Sequence, residues 1–226
     1  MTGSVRIIAK KPTMNAVHKL LLFIIIFYTT VSLTCTEANK KNDVRRLWLD
    51  CLPEKEVAFE IFTIAIRGYG KIENLKKKNI LTIIDYSKPS SEKRFFVIDL
   101  QKKQLLFKTY VAHGKNTGDN EAISFSNQMN SLQSCLGFFL TAETYQGENG
   151  YSMKLDGLEK GINDNARNRE IVIHGAEYVS EEYISKYGRL GRSWGCPALP
   201  LEISREIIDL ISGGSCLFVY GEERRT

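Results

Sequence analysis

Residues 80–113 read ILTIIDYSKPSSEKRFFVIDLQKKQLLFKTYVAH, and they carry the strongest fold signal in the chain. Three short runs within them, ILTIID, RFFVIDL and LLFKTYVAH, are rich in β-branched and aromatic residues and are separated by polar turns. Downstream, the runs LGFFLTAETY, REIVIH and CLFVY have the same character. Such runs are typical of buried β-strands. We therefore expect a mostly β domain whose sheet folds around its own core as a β-sandwich or squashed barrel.

The helices that we expect lie at the periphery of this domain. A polar stripe opposite apolar residues predicts a helix from Pro53 to about Gly68, with the proline in the tolerated first turn. Two later segments, YVSEEYISKYG and LEISREIIDLISGG, also have helical character, and the second ends in glycines suited to a left-handed cap.

The chain divides into four segments by composition. We expect an export signal over residues 1–35, a polar linker over 36–46, a helical segment packed on the domain over 47–79, and the β domain over 80–221. A chain of 226 residues is long enough for one domain with a substantial core and short for two.

The net charge of +5 does not indicate a nucleic-acid partner. Residues 1–35 hold four basic residues and no acid, which leaves 27 basic and 26 acidic residues in the rest of the chain. The excess charge therefore belongs to the leader and not to a binding face.

The leader has the three parts of a secretory signal. A basic opening precedes the apolar run Leu21–Phe27, and Ser32, Thr34 and Cys35 form a small-residue exit. The apolar stretch from Leu20 to Val31 has 12 residues, whereas a membrane helix needs about 20. We expect an exported protein of the periplasm or cell envelope. An uncleaved anchor, a buried helix and lipidation of Cys35 are the alternatives.

The five cysteines are an odd number for an oxidising compartment, so at least one is lipidated, intermolecular or free. Cys216, inside CLFVY, is typical of a small buried hydrophobic residue. Cys196 differs because of its surroundings.

Residues 169–200 read REIVIHGAEYVSEEYISKYGRLGRSWGCPALP and contain the strongest candidate for chemistry. A strand ends at His174, and a glycine-rich turn then delivers Ser193, Gly195 and Cys196. A thiol becomes a nucleophile when an imidazole takes its proton, and the main chain at Gly195 is open enough for N–H groups to reach an oxyanion.

Two other interpretations of these residues stay open. His174 and Cys196 could be a structural histidine and a half-buried turn residue that never meet. A zinc site formed by His113, His174 and Cys196 is the second, but the chain lacks a close ligand pair such as H-E-x-x-H, so we expect no metal.

The strings IVIHGAEYVS and GRLGRSWGCPALP resemble the active-site signature of the murein L,D-transpeptidase catalytic-domain family. VAHGKNTG at Val111, FSNQMNS at Phe125 and LGFFLTAETYQGENGYSMKLDGLEKGINDNA from Leu136 resemble the same branch. The resemblance covers roughly residues 80–220 and implies the L,D-transpeptidase-like fold for the domain over 80–221.

The resemblance implies cysteine acyl transfer on peptidoglycan stem peptides without a cofactor. Cys196 would attack the third residue of a tetrapeptide stem, expel the terminal D-alanine and form a thioester, which an acceptor amine resolves. His174 would be the base, Ser193 would orient the turn, and N–H groups near Gly195 would hold the oxyanion. A carboxypeptidase that trims stems and a catalytically idle envelope-binding module are the alternatives.

The signature departs from its commoner form, which has a second histidine before the glycine and a polar or basic residue soon after the cysteine. This chain has Trp194 before the glycine, and Pro197 and Ala198 after the cysteine. Arg189 and Arg192 are the nearest candidates for binding the substrate carboxylate, because a guanidinium can form two parallel hydrogen bonds. His113, Asn127 and Trp194 are further candidate substrate contacts, each with a plain structural alternative.

Overall fold

The computed structural model describes residues 39–223. Two compact units make up the chain, residues 1–44 and residues 45–226. In the first, residues 39–44 are helical. The expected export signal and Cys35 lie outside the described residues. No helix within 39–223 is long and apolar enough to cross a membrane.

The second unit is built on one sheet of eight strands. These are β1 Ile80–Asp85, β2 Phe95–Asp99, β3 Gln104–Thr109, β4 Gly137–Gly147, β5 Gly150–Gly157, β6 Val172–Ala176, β7 Ala198–Pro200 and β8 Cys216–Tyr220. Their order across the sheet is β3-β2-β1-β8-β4-β5-β6-β7. Only the pairs β1–β8 and β6–β7 are parallel among these strands.

The sheet curves until its two edges approach each other. Beyond β3, Ala112 bridges Ala198 of β7, with N···O distances of 2.9 Å and 3.4 Å. The architecture is therefore a nearly closed barrel made of one sheet, and not two facing sheets. The predicted mostly β class is confirmed. Of the two expected forms, a β-sandwich or a squashed barrel, the structure has the barrel.

All six apolar runs form strands at the predicted places. Every residue of β1 and β2 is buried, which explains why these strands are mostly apolar in sequence. The run REIVIH contributes only its second half, because β6 begins at Val172. Strands β5 and β7 were not among the predicted runs.

Within residues 39–223 the helices are α1 over residues 39–51, α2 Phe59–Tyr69, α3 Glu181–Tyr187 and α4 Leu201–Ile211. Helix α3 begins after the Ser180 hydroxyl, which accepts a hydrogen bond from Tyr183 N, and ends at Gly188 with φ of 73°. Helix α4 buries Ile207, Ile208 and Ile211 in the core.

The polar linker expected over residues 36–46 stays a prediction, and residues 39–46 are helical. The start of the next helix was predicted incorrectly. The second helix begins at Phe59 and not at Pro53, because Lys55 has a φ of 57°, outside the right-handed helical region. The intervening turns bury Leu52 and Val57.

Candidate active site

A short turn before β7 presents Cys196. The Ser193 hydroxyl lies inside this turn, where it accepts a hydrogen bond from Gly195 N at 3.1 Å and donates to Cys196 O at 2.6 Å. Ser193 N donates to His113 O at 3.0 Å, and Ser134 Oγ donates to Gly195 O at 3.0 Å. The turn is thus fixed from inside and from two neighbouring segments.

Gly195 is required in this turn for two reasons. Its φ of 131° is a conformation that side chains rarely adopt. A Cβ at this position would also lie 2.9 Å from Gln133 O, which is too close for real contacts.

The pairing of β6 with β7 brings the neighbourhoods of His174 and Cys196 together. His174 pairs with Ala198, two residues after the cysteine. The Cys196 sulfur accepts a hydrogen bond from Val172 N at 3.5 Å, and Val172 lies two residues before His174 on β6. The thiol donates to Glu170 O at 3.6 Å. Among the described residues no hydrogen bond joins the sulfur to the imidazole, so the predicted dyad stays a prediction.

The hydrogen bonding of His174 defines which ring nitrogen is free. Nδ1 lies 3.0 Å from Gly175 O, and a carbonyl only accepts, so Nδ1 carries the proton and Nε2 has a free lone pair. Burial lowers the pKa of His174 below its ordinary value of 6.5, against the opposing effect of the Gly175 carbonyl. The ring is therefore a neutral base at neutral pH.

Cys196 is a thiol and not a thiolate in the resting protein. Burial raises its pKa to about 11, while the Val172 N–H and the charge of Arg169 act in the opposite direction. At neutral pH only about one molecule in 10⁴ carries the thiolate. Nucleophilic chemistry at this sulfur therefore needs a base that removes the proton.

The main-chain N–H groups of the turn differ in availability. Gly195 N is bonded to Ser193 Oγ in this structure. Cys196 N has no hydrogen-bond partner within residues 39–223. Of the two groups, it is the one that could donate a hydrogen bond to an oxyanion.

His113 is a structural histidine in this protein and is not exposed to a cleft. It is completely buried, and both ring nitrogens have partners: Arg94 Nη2 at 2.7 Å from Nδ1, and Gly118 O at 3.2 Å from Nε2. Burial and the charge of Arg94 lower the pKa of His113 to about 3. Its main-chain carbonyl, however, supports the turn through Ser193.

Arg189 and Arg192 are not free to bind a substrate carboxylate. Their guanidinium groups both contact Asp119 Oδ1, at 2.9 Å and 3.0 Å. Asn127 is also engaged, since its amide donates to Asp164 Oδ1 at 2.7 Å and its carbonyl accepts from Asn165 N. These three residues hold loops together in this structure.

Trp194 keeps the exposure that a substrate contact requires. Its side chain is 76% exposed and lines a cavity of about 380 Å³ together with residues that include Met129, Leu132, Arg169 and Glu170. A second cavity of about 610 Å³ also has Glu170 in its wall. The second cavity is walled by residues 170–172, whose main chain contacts the Cys196 sulfur.

Two residues at the site were missed at the level of sequence. Arg169 joins the loop 126–135 beneath the turn, and the Glu170 carbonyl accepts a hydrogen bond from the Cys196 thiol. Glu170 has a φ of 56°, a strained conformation that is frequent at functional sites. The run REIVIH contained both residues, but its apolar character indicated only a strand.

The cysteines and acids do not form a metal site in the part of the chain that the structure describes. No group of three or more His, Cys, Asp or Glu side chains is arranged for a metal there. Cys51, Cys135, Cys196 and Cys216 are all free thiols.

Comparison with known families gives one extensive match. A family model described as the L,D-transpeptidase catalytic domain matches residues 53–220, which include β6, the turn and β7. No curated protein matches the chain.

Solved structures give weaker likenesses. An L,D-transpeptidase from Mycobacterium smegmatis is 14% identical with a TM-score of 0.38, and the match covers 63% of this chain and 59% of that one. An L,D-transpeptidase from Stackebrandtia nassauensis is 15% identical with a TM-score of 0.39, covering 81% and 78%. The helical cell shape determining protein Pgp2 from Campylobacter jejuni is 13% identical with a TM-score of 0.43, covering 64% and 48%. The chain thus spans less than two thirds of the mycobacterial structure.

Proposed function

Because this chain belongs to the L,D-transpeptidase catalytic-domain family, we propose that it is a peptidoglycan L,D-transpeptidase with Cys196 as its nucleophile. The observation that carries this proposal is the hydrogen bond from Val172 N of β6 to the Cys196 sulfur, since β6 also carries the neutral His174. A protonated thiol beside a neutral imidazole is the resting state that general-base activation requires.

The first half of the reaction follows from the groups at the site. His174 Nε2 takes the thiol proton as the sulfur attacks the carbonyl carbon of the third stem residue. Cys196 N–H donates to the oxyanion that forms. When the tetrahedral intermediate collapses, the imidazolium protonates the departing amine of the terminal D-alanine, and a thioester remains on Cys196.

The second half reverses these roles. An acceptor amine attacks the thioester carbonyl and gives its proton to His174. His174 then gives this proton to the sulfur, which leaves as the thiol. The product is a cross-link between two stems at their third residues. No cofactor takes part in either half.

The two cavities that share Glu170 in their walls support transfer to an amine over hydrolysis. Transpeptidation needs space for a donor and an acceptor at one sulfur, and the walls of both cavities reach the segment that contacts the thiol. A carboxypeptidase needs only the donor space and water. We propose that Trp194 contacts one of the two stems in the smaller cavity.

We also propose that the protein works in the cell envelope, where stem peptides are found, after export by its leader. Residues 1–35 are the proposed signal, with lipidation of Cys35 as its possible variant form. The mass of the mature N-terminal peptide from cells distinguishes a cleaved signal, a lipidated cysteine and an intact leader.

Incubation of the protein with tetrapeptide-bearing muropeptides, followed by mass spectrometry, tests the activity. A transpeptidase yields cross-linked dimers and free D-alanine, and a carboxypeptidase yields tripeptides and D-alanine without dimers. Unchanged muropeptides would contradict the proposal and leave the envelope-binding module.

A further inference from the structure

Arg169 lies beneath the active-site turn and uses its guanidinium entirely on neutral groups. Nη1 donates to Ser126 O and to Cys135 Sγ, the latter at 3.3 Å. Nη2 donates to Ser131 Oγ at 3.0 Å and to Gln133 O at 2.6 Å. The Arg169 side chain therefore links four residues of the loop 126–135 to the segment just before β6, the strand that carries His174.

The charge of Arg169 is not neutralised by a carboxylate. Within residues 39–223 it forms no salt bridge, whereas the nearby Arg167 pairs with Asp156 and Glu143, and both Arg189 and Arg192 pair with Asp119. Hydrogen bonds to carbonyls satisfy the donors of a guanidinium but do not neutralise its positive charge, so its electrostatic field still acts on neighbouring groups.

This field acts at the nucleophile. Arg169 Nη2 lies 3.5 Å from the position that a Cβ of Gly195 would occupy, and Gly195 directly precedes Cys196. The guanidinium also lines the cavity that Trp194 borders. The side chain is half-buried, so water screens its charge less than that of a surface arginine.

The other groups around the thiol do not supply a positive charge. Glu170 and Cys135 raise the pKa of Cys196, whereas Arg169 lowers it. The remaining neighbours are His174, Tyr178 and Tyr86, of which His174 is neutral and both tyrosines have raised pKa values because of their burial. Of these six groups, only Arg169 is a cation at neutral pH.

We propose that Arg169 is the positioning residue that stabilises the Cys196 thiolate. The proposal rests on the proposed role of Cys196 as nucleophile. Arg169 lies 27 residues before Cys196 in the sequence. It lies just before β6, and the pairing of β6 with β7 brings this part of the chain close to the active-site turn. Its charge offsets part of the penalty that burial imposes on the ionised sulfur.

The test is the rate at which iodoacetamide alkylates Cys196 as a function of pH, quantified by peptide mapping so that other thiols do not contribute. Three variants form the series: Arg169→Gln removes the charge, Arg169→Lys keeps it with fewer hydrogen bonds, and Arg167→Gln is a matched control that removes a charge already paired with carboxylates. Circular dichroism confirms that each variant is folded. If Gln prevents folding, Met takes its place, since its apolar chain suits the half-buried position.

We expect Arg169→Gln to move the alkylation profile upward by about one pH unit, since loss of a unit charge several ångströms away shifts a pKa by this order. Arg169→Lys and Arg167→Gln are expected to stay close to the wild-type profile. The proposal is overturned if the Gln profile superimposes on the wild-type profile, or if Lys moves it as far as Gln does. Alkylation needs no substrate, so its outcome is separate from that of the muropeptide assay.

Discussion

At the scale of single residues, the protonation states of His174 and Cys196 decide how the site can work. The imidazole is neutral because it is buried, and the thiol is protonated for the same reason. This pairing differs from a preformed thiolate–imidazolium pair, because the proton moves only when substrate is attacked.

A pH profile follows from these two groups. Because the pKa of His174 lies below 6.5, we expect the acid limb of kcat/KM to have its midpoint below pH 6.5. Above it we expect a broad plateau, since the thiol ionises only near pH 11. An acid limb with its midpoint above pH 6.5 would show that a different group carries the essential base.

Removal of the base gives a complementary result. His174→Gln is expected to lower kcat/KM by about 10²–10⁴ and to remove the acid limb, because no other side chain replaces a positioned base. Circular dichroism of the variant serves as the control that it is folded. If His174→Gln retained the wild-type rate, the dyad would be wrong.

At the scale of elements, the turn between α3 and β7 determines where the sulfur lies. Gly195→Ala combines a positive φ with a methyl group 2.9 Å from Gln133 O. Gly188→Ala is a matched control, because its φ is also positive, at 73°, but nothing lies within 4 Å of the added methyl.

We expect Gly188→Ala to cost about 1 kcal/mol of stability with little loss of activity, and Gly195→Ala to lose at least about 10²-fold in kcat, since small displacements of reacting groups have effects of this size. Thermal denaturation and muropeptide turnover measure the two effects. Equal activity in both variants would mean that the turn does not position the nucleophile.

The strands show which elements can be predicted from sequence and which cannot. Strands β1, β2 and β8 are mostly apolar because they are largely buried, and this makes them evident. Strand β5 alternates buried and half-exposed residues and depends on its hairpin with β4, and β7 has three residues whose pairing with β6 is a tertiary event. Local composition carries little information about such elements.

The residues of the candidate site divide in the same way, into those that local sequence indicates and those that only the fold brings together. Cys196, His174, Ser193 and Gly195 are brought to one region, as the motif indicated. Sequence proximity favoured Arg189 and Arg192 as substrate contacts, and this stays a prediction; in the structure Asp119 contacts both guanidinium groups. Arg169 reaches the turn only through folding, so no spacing rule points to it.

At the scale of the whole molecule, the buried pair of Arg94 and His113 links the barrel to the site. Arg94 is completely buried and donates to the carbonyls of Lys88 and Val111 as well as to the His113 ring. His113 O in turn accepts from Ser193 N. The stability of the fold and the position of the turn therefore depend on a histidine that stays neutral.

This pair predicts how stability depends on pH. The His113 ring binds a proton near pH 6.5 in the unfolded chain but only near pH 3 in the folded protein, so acid favours the unfolded state. The contribution of neutral His113 to the free energy of unfolding is complete above pH 6.5. Below pH 6.5 it decreases by up to about 1.4 kcal/mol per pH unit. Denaturant unfolding of wild type and His113→Gln between pH 6.5 and 5 measures this slope. The variant is expected to have a shallower slope, and an unchanged slope would contradict the assignment.

The most direct test of the proposed mechanism is the mass of the protein itself during turnover. After acid quenching of a reaction with tetrapeptide stems, we predict a covalent adduct equal to the stem without its terminal D-alanine, and peptide mapping places it on Cys196. The adduct is absent from Cys196→Ala, which also forms no product. An adduct on another residue, or product formation by Cys196→Ala at the wild-type rate, would contradict the account.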